Sequence, residues 1–115
     1  MTMDLSKIKL IVTDMDGTLL DSKGALPPRF LELVEELKFL GLLVSVASGR
    51  QYYSLINKLE EVKEELIFIA ENGSIVMEGE KQLHIQPMGR SLAMEIVRCL
   101  KAIGGKYIIV CGKRS

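Results

Sequence analysis

Read from the N-terminus, residues 8–13 form a short apolar, β-branched run that stops at Asp14, the pattern of a strand buried on both faces. Residues 14–25 are rich in Asp, Gly, Ser and Thr and mark a loop. Pro27 and Pro28 follow, where prolines open a helix. Phe30, Leu33, Val34, Leu37 and Leu40 then recur at helical spacing until Gly41 stops the pattern. Residues 42–47 predict a second buried strand and Ser48, Gly49 and Arg50 a turn. Leu55, Ile56 and Leu59 give one face of a second helix. Residues 66–70 predict a third buried strand, ending at Glu71, Asn72 and Gly73.

Apolar strands joined by crossover helices imply a parallel sheet. The expected fold class is α/β: a partial Rossmann-like core with helices on both faces over residues 1–73. Ligands of such sheets gather at the carboxyl ends of the strands, and the polar clusters at Asp14, Ser48 and Asn72 each follow one strand directly. That shared position places them on one rim.

After Gly73 the pattern changes. Residues 74–77 and 82–85 flank Glu78, Gly79, Glu80 and Lys81, a hairpin signal. Leu92, Ile96, Val97, Leu100 and Ile103 predict a third helix, stopped by Gly104 and Gly105, and residues 107–110 predict a further strand. The expectation is a second, α+β module over residues 74–115, unfinished at its end.

Composition narrows the function classes. The chain has 115 residues, 48% hydrophobic and 26% charged, which is globular rather than disordered. Lys and Arg together equal Asp and Glu, giving a formal net charge of zero, so no basic excess points to nucleic acid. The apolar runs are far shorter than a membrane span needs, and no long apolar segment marks a signal peptide. Cys99 and Cys111 lack metal-ligand spacing and read as buried thiols in a reducing cytosol, so the expected location is cytoplasmic. His84, the only histidine, alternates with Leu83 and Ile85 and reads as an exposed strand residue.

The strongest chemical signal is residues 14–20, Asp-Met-Asp-Gly-Thr-Leu-Leu. Two carboxylates two residues apart, just past an apolar strand, repel each other, and a cation is the usual remedy. Oxygen-only ligands favour a hard ion such as Mg²⁺, which keeps waters and takes few carboxylates. One carboxylate can attack a phosphoryl group and the other can protonate the leaving oxygen. Gly17 permits the sharp exit that brings backbone N–H groups towards a phosphate. An Asp-x-Asp alone reads better as a capped turn; the apolar strand before it and Gly17, Thr18, Leu19 and Leu20 after it reverse that in favour of the chemical reading.

Residues 8–21 resemble the first signature of the haloacid dehalogenase-like superfamily of phosphohydrolases. The resemblance implies that Asp14 is the nucleophile and Asp16 the general acid/base. It also implies that the Asp14 carboxylate and the Asp16 backbone carbonyl contact Mg²⁺, and that Thr18 fixes the loop. Ser48, with Gly49 and Arg50, resembles the second signature, a hydroxyl closing strand two that bonds a phosphoryl oxygen; read alone, Ser48 is a helix N-cap. Arg50 reads as a phosphate contact or a surface arginine. Asn72 reads as a substrate contact at a cap hinge or as a turn-forming Asn-Gly. The stretch from Asp14 to Ser48 has room for one helix and one strand, so a cap domain falls after strand three. That order is similar to the Cof-type phosphatases, whose usual substrates are sugar phosphates and other small phosphomonoesters.

The family's third signature, a Lys, and its fourth, an acidic Gly-Asp-x-x-x-Asp cluster, have no match here; Lys101, Lys106, Lys113 and Arg114 do not fit. The expectation is therefore the front part of a longer phosphatase, with little turnover alone. Alternatives are a non-catalytic phosphate- or metal-binding regulatory module, and one half of an assembled enzyme. The first strand would then be an open edge, to be covered by self-association or by a partner chain.

Overall fold

A computed structural model describes residues 4–105 and 107–109, in two compact units, Met1–Ile85 and Gln86–Ser115. The first unit runs β1 (Leu10–Asp14), α1 (Phe30–Phe39), β2 (Leu43–Ala47), α2 (Tyr52–Lys58), β3 (Leu66–Ala70), β4 (Ile75–Glu78) and β5 (Lys81–Ile85). These strands form one sheet in the order β1-β2-β3-β4-β5. The first three are parallel, and β4 and β5 join antiparallel as a hairpin.

The fold is α/β as expected, with two differences: α1 and α2 pack on one face of the sheet rather than on both, and the boundary is displaced. The hairpin does not open a separate module at residue 74. It pairs with β3, Phe68 beside Met77 and Ala70 beside Ile75, so the compact unit extends to Ile85. The reason is visible in the burial: Ile75 and Met77 alternate inward and continue the apolar row of β3.

Two right-handed crossovers that step the same way across a sheet place both helices on the same face. Phe30 and Val34 of α1 and Tyr52 and Leu55 of α2 accordingly share one core cluster with Val44, Val46, Leu66 and Phe68 of the strands. Phe68 sits at its centre, fully buried, with its ring edge-on to Tyr52 at 5.8 Å. The Tyr52 hydroxyl donates to the Gly79 carbonyl at 2.5 Å, tying α2 to the hairpin turn. Burial is the main cause that raises the Tyr52 phenol above its ordinary pKa.

The opposite face is different. Leu10, Val12 and Leu43 are 46%, 50% and 51% exposed, and Leu10 stands beside Leu43 in the register. The expectation that strand one is buried on both faces is therefore overturned. Among the described residues β1 pairs with β2 alone, and α1 and α2 lie over the other face. Ser45, beside Val12 and Ile67 in the register, is nonetheless buried.

In the second unit, α3 (Arg90–Ile103) ends where Gly104 takes a φ of 69°. It buries none of its residues; Leu92, Ile96, Leu100 and Ile103 are all exposed. Cys99 is exposed as well, against the expectation of a buried thiol, because it belongs to this uncovered helix. The strand expected over 107–110 is not formed at 107–109, where Tyr107 is fully exposed; Lys106, Val110, Cys111, Lys113 and Arg114 lie outside the described residues. His84 is exposed in β5, as expected, beside Val76.

Candidate active site

Three loops meet at the carboxyl ends of β1, β2 and β3. The first begins at Asp14, the last residue of β1. Met15 turns inward and is fully buried, so Asp14 and Asp16 on either side of it face solvent. The loop closes as a wide turn over Met15–Leu19, with the Leu20 N–H donating to the Met15 carbonyl at 2.8 Å. Gly17 adopts φ 77° inside that turn, a conformation that suits glycine because it has no Cβ. Thr13 Oγ1 donates to the Asp14 carbonyl at 2.9 Å and steadies the end of the strand. Thr18 is exposed on the turn.

The second and third loops are laced together by backbone bonds. The Ser48 N–H donates to the Ile69 carbonyl (2.9 Å), the Asn72 N–H to the Ser48 carbonyl (3.2 Å) and the Glu71 N–H to the Arg50 carbonyl (3.0 Å). Glu71, Asn72 and Gly73 have φ values of 50°, 56° and 91°. Left-handed backbone at Glu71 is unusual for a residue with a Cβ, and such strain persists where surrounding bonds enforce it. Gly49 lies against the Asn72 side chain: a Cβ there would meet Asn72 Oδ1 at 3.0 Å. The glycine is what lets that amide come close.

These loops enclose an open cleft of about 350 Å³ lined by Asp14, Ala47, Ser48, Gly49, Ile69, Asn72 and Gly73. Asp14, Ser48, Gly49 and Asn72, singled out in the sequence, are thus brought to one cleft. Ser48 is buried, its Oγ accepting the Arg50 N–H at 3.1 Å. It does not cap α2, which starts four positions later at Tyr52.

Asp16 and Arg50 form the rim beside the cleft. Arg50 grips Asp16 in a fork, Nε to Oδ2 at 2.8 Å and Nη2 to Oδ1 at 2.6 Å. The hydrogen bonds from Arg50, more than its charge alone, hold the Asp16 carboxyl below its ordinary pKa of 3.8, and Arg50 is raised in return. Sequence reading placed Arg50 on a phosphate or on the surface; nothing in its local sequence pointed to Asp16, far away in the chain. The contributions of Ile69 and Gly73 to the cleft were also missed, since both read simply as parts of a strand and a turn.

A pH dependence follows from the lowered Asp16 pKa. A depressed carboxylate lends the fold stability above its unfolded-state pKa, and loses it as pH falls through the folded value. The pair's contribution should be complete above about pH 4 and fade in more acidic solution. Acid unfolding followed by circular dichroism should show Arg50→Gln differing from the parent at neutral pH and converging with it at the acid end. A gap that stays constant down to the acid end would contradict the ion pair.

The donor set at the loops is carboxylate and carbonyl oxygen, with no imidazole or thiolate at the cleft. That chemistry fits a hard, partly hydrated ion such as Mg²⁺. No group of three or more metal-ligating side chains occurs among the described residues. Among them, too, no helix is long and apolar enough to cross a membrane.

Comparison with known proteins agrees with the geometry. Residues 11–115 match the family model of the haloacid dehalogenase-like hydrolases. The chain is 38% identical over 109 residues to 5-amino-6-(5-phospho-D-ribitylamino)uracil phosphatase YbjI of Escherichia coli, covering 94% of this chain and 40% of that protein. Among solved structures it is similar to SMU.1108c from Streptococcus mutans, with TM-score 0.76, 30% identity and coverage of 83% of this chain and 36% of that one. It is also similar to the subclass IIB sugar phosphatase BT4131, with TM-score 0.62, 25% identity and coverage of 82% and 38%. The chain thus spans about two fifths of the length of the relatives it matches. On the match of the family model across nearly its whole length, the chain belongs to the haloacid dehalogenase-like hydrolases.

Proposed function

We propose that this site belongs to a Mg²⁺-dependent, Cof-type phosphohydrolase that cleaves small phosphomonoesters, sugar phosphates among them, through an aspartyl-phosphate. The observation that carries the reading is the convergence of Asp14, Ser48 and Asn72 on one cleft at the carboxyl ends of three parallel strands. The similarity to a sugar phosphatase and to a ribitylaminouracil phosphatase supports a small phosphorylated metabolite as the substrate class.

In this mechanism an Asp14 carboxylate oxygen attacks phosphorus, and the bond from phosphorus to the ester oxygen breaks. Asp16, ionised at rest in the Arg50 fork, takes up a proton from solvent as the ester binds and gives it to the departing alkoxide, which leaves as an alcohol. Asp16, now ionised, takes a proton from water; the hydroxide displaces the phosphoryl group, releasing phosphate and restoring the Asp14 carboxylate. The Ser48 hydroxyl, which has a proton to donate, can bond a phosphoryl oxygen without adding charge, and Asn72 holds the substrate side of the cleft. Mg²⁺ would be held by the Asp14 carboxylate and the Asp16 carbonyl, and would supply charge neutralisation for the phosphoryl group.

The remaining parts are further polypeptide. The open β1 edge and the Leu10, Val12 and Leu43 face are surfaces that another segment or chain covers in the active form. The isolated chain should accordingly release phosphate from sugar phosphates slowly, and only with Mg²⁺. Its light-scattering mass should exceed that of a monomer unless a partner is supplied. Release that continues undiminished in excess chelator would contradict the metal-dependent reading.

A further inference from the structure

Arg50 bonds to residues of all three loops. Its guanidinium holds both oxygens of Asp16 in the first loop. Its backbone N–H donates to the hydroxyl of Ser48 in the second. Its carbonyl accepts the N–H of Glu71 in the third. The backbone of Arg50 is therefore pinned on both sides, and its side chain reaches out from a fixed base.

Asp16 has no comparable support of its own. Its side chain is 54% exposed, so packing does not set its direction. It sits in a turn whose backbone departs from helical geometry at Asp16 and again at Gly17. A planar fork that grips both carboxylate oxygens removes the rotation a single bond would leave.

We propose that Arg50 is a positioning residue that acts through Asp16, aiming its carboxyl group at the leaving-group oxygen rather than contacting phosphate itself. The inference rests on the phosphohydrolase reading above. Proton transfer needs the donor within about 2.6–3.2 Å of the accepting atom, and a displacement of about 1 Å at a positioned group can cost on the order of 10²-fold in rate. A lysine at position 50 keeps a positive charge but not the fork, so charge and geometry are separable.

The test is the dependence on the leaving group. A dinitrophenyl phosphate expels a stable anion and needs little help from an acid; an alkyl phosphate needs a proton. Values of kcat/KM for both esters are measured with Mg²⁺ on the full chain, its Arg50→Gln, Arg50→Lys and Asp16→Asn variants, and the double variant. Arg50→Gln should slow the alkyl ester about tenfold or more beyond its effect on the dinitrophenyl ester, as Asp16→Asn does. Arg50→Lys should recover only part of that difference, and the double variant should be no slower than Asp16→Asn alone. Equal slowing of both esters by Arg50→Gln, or full rescue by lysine, overturns the proposal in favour of a phosphate contact. Effects that multiply in the double variant overturn it as well.

A second measurement needs no turnover. Amide hydrogen exchange at residues 16–18 should quicken in Arg50→Gln and in Asp16→Asn by the same factor, with no further gain in the double variant. Independent, multiplying gains would overturn the proposal. If the unsubstituted chain cleaves neither ester, the hydrolase reading fails for this chain, and the exchange cycle alone decides the role of Arg50.

Discussion

Asp14→Asn should eliminate turnover while leaving the fold unchanged. An amide has nearly the shape of a carboxylate but lacks the charge and the free oxygen lone pairs needed to attack phosphorus. Removing a nucleophile that forms a covalent intermediate costs on the order of 10⁴–10⁶-fold. The side chain is exposed at the end of β1, so the exchange takes away no core packing. Phosphate release from a sugar phosphate in the presence of Mg²⁺ should fall to background, with an unaltered circular dichroism spectrum and melting curve. Turnover within a few-fold of the parent would contradict the assigned role.

Phe68→Ala should have the largest effect on stability. Phe68 is fully buried in β3, between β2 and β4, with the Tyr52 ring edge-on to it. Truncating a buried phenylalanine to alanine costs about 3–5 kcal/mol in transfer and cavity terms. Native domains hold only about 5–15 kcal/mol in total, and among the described residues of this unit α1 and α2 cover one face of the sheet only. The melting temperature should drop by on the order of 20 °C, or the chain should fail to fold. Phe68→Leu, which restores most of the volume, should recover much of the loss. A fall of only a degree or two for Phe68→Ala would mean that the core is not centred there.

Local pattern reveals much of this fold, and contact across the sheet reveals the rest. β3 is legible because a continuous apolar run between turn signals matches a strand covered by neighbours on both sides, and Leu66–Ala70 forms as expected. β1 also begins with a run of apolar residues, yet its Leu10, Ile11 and Val12 are exposed. Burial of a strand depends on what lies beside and above it, which its own sequence does not encode. The hairpin turn at Gly79 and Glu80 is readable from its residues, whereas its attachment to β3 follows from Ile75 and Met77 fitting the existing apolar row. For the same reason the site was only partly legible. Asp14, Ser48 and Asn72 share a rim because each follows a parallel strand, a consequence of topology. The fork between Arg50 and Asp16 depends on side-chain reach between separate loops, and no spacing rule anticipates it.

The central claim is that Asp14 carries the phosphoryl group during the reaction. The chain is incubated with Mg²⁺ and a reactive phosphate donor such as acetyl phosphate, quenched with borohydride, and digested for mass spectrometry. Reduction converts an aspartyl-phosphate to homoserine, so the modified residue should be found at position 14, and at no position in the Asp14→Asn variant. Homoserine at position 16 in place of 14, or steady phosphate release with no modification at Asp14, would contradict the account.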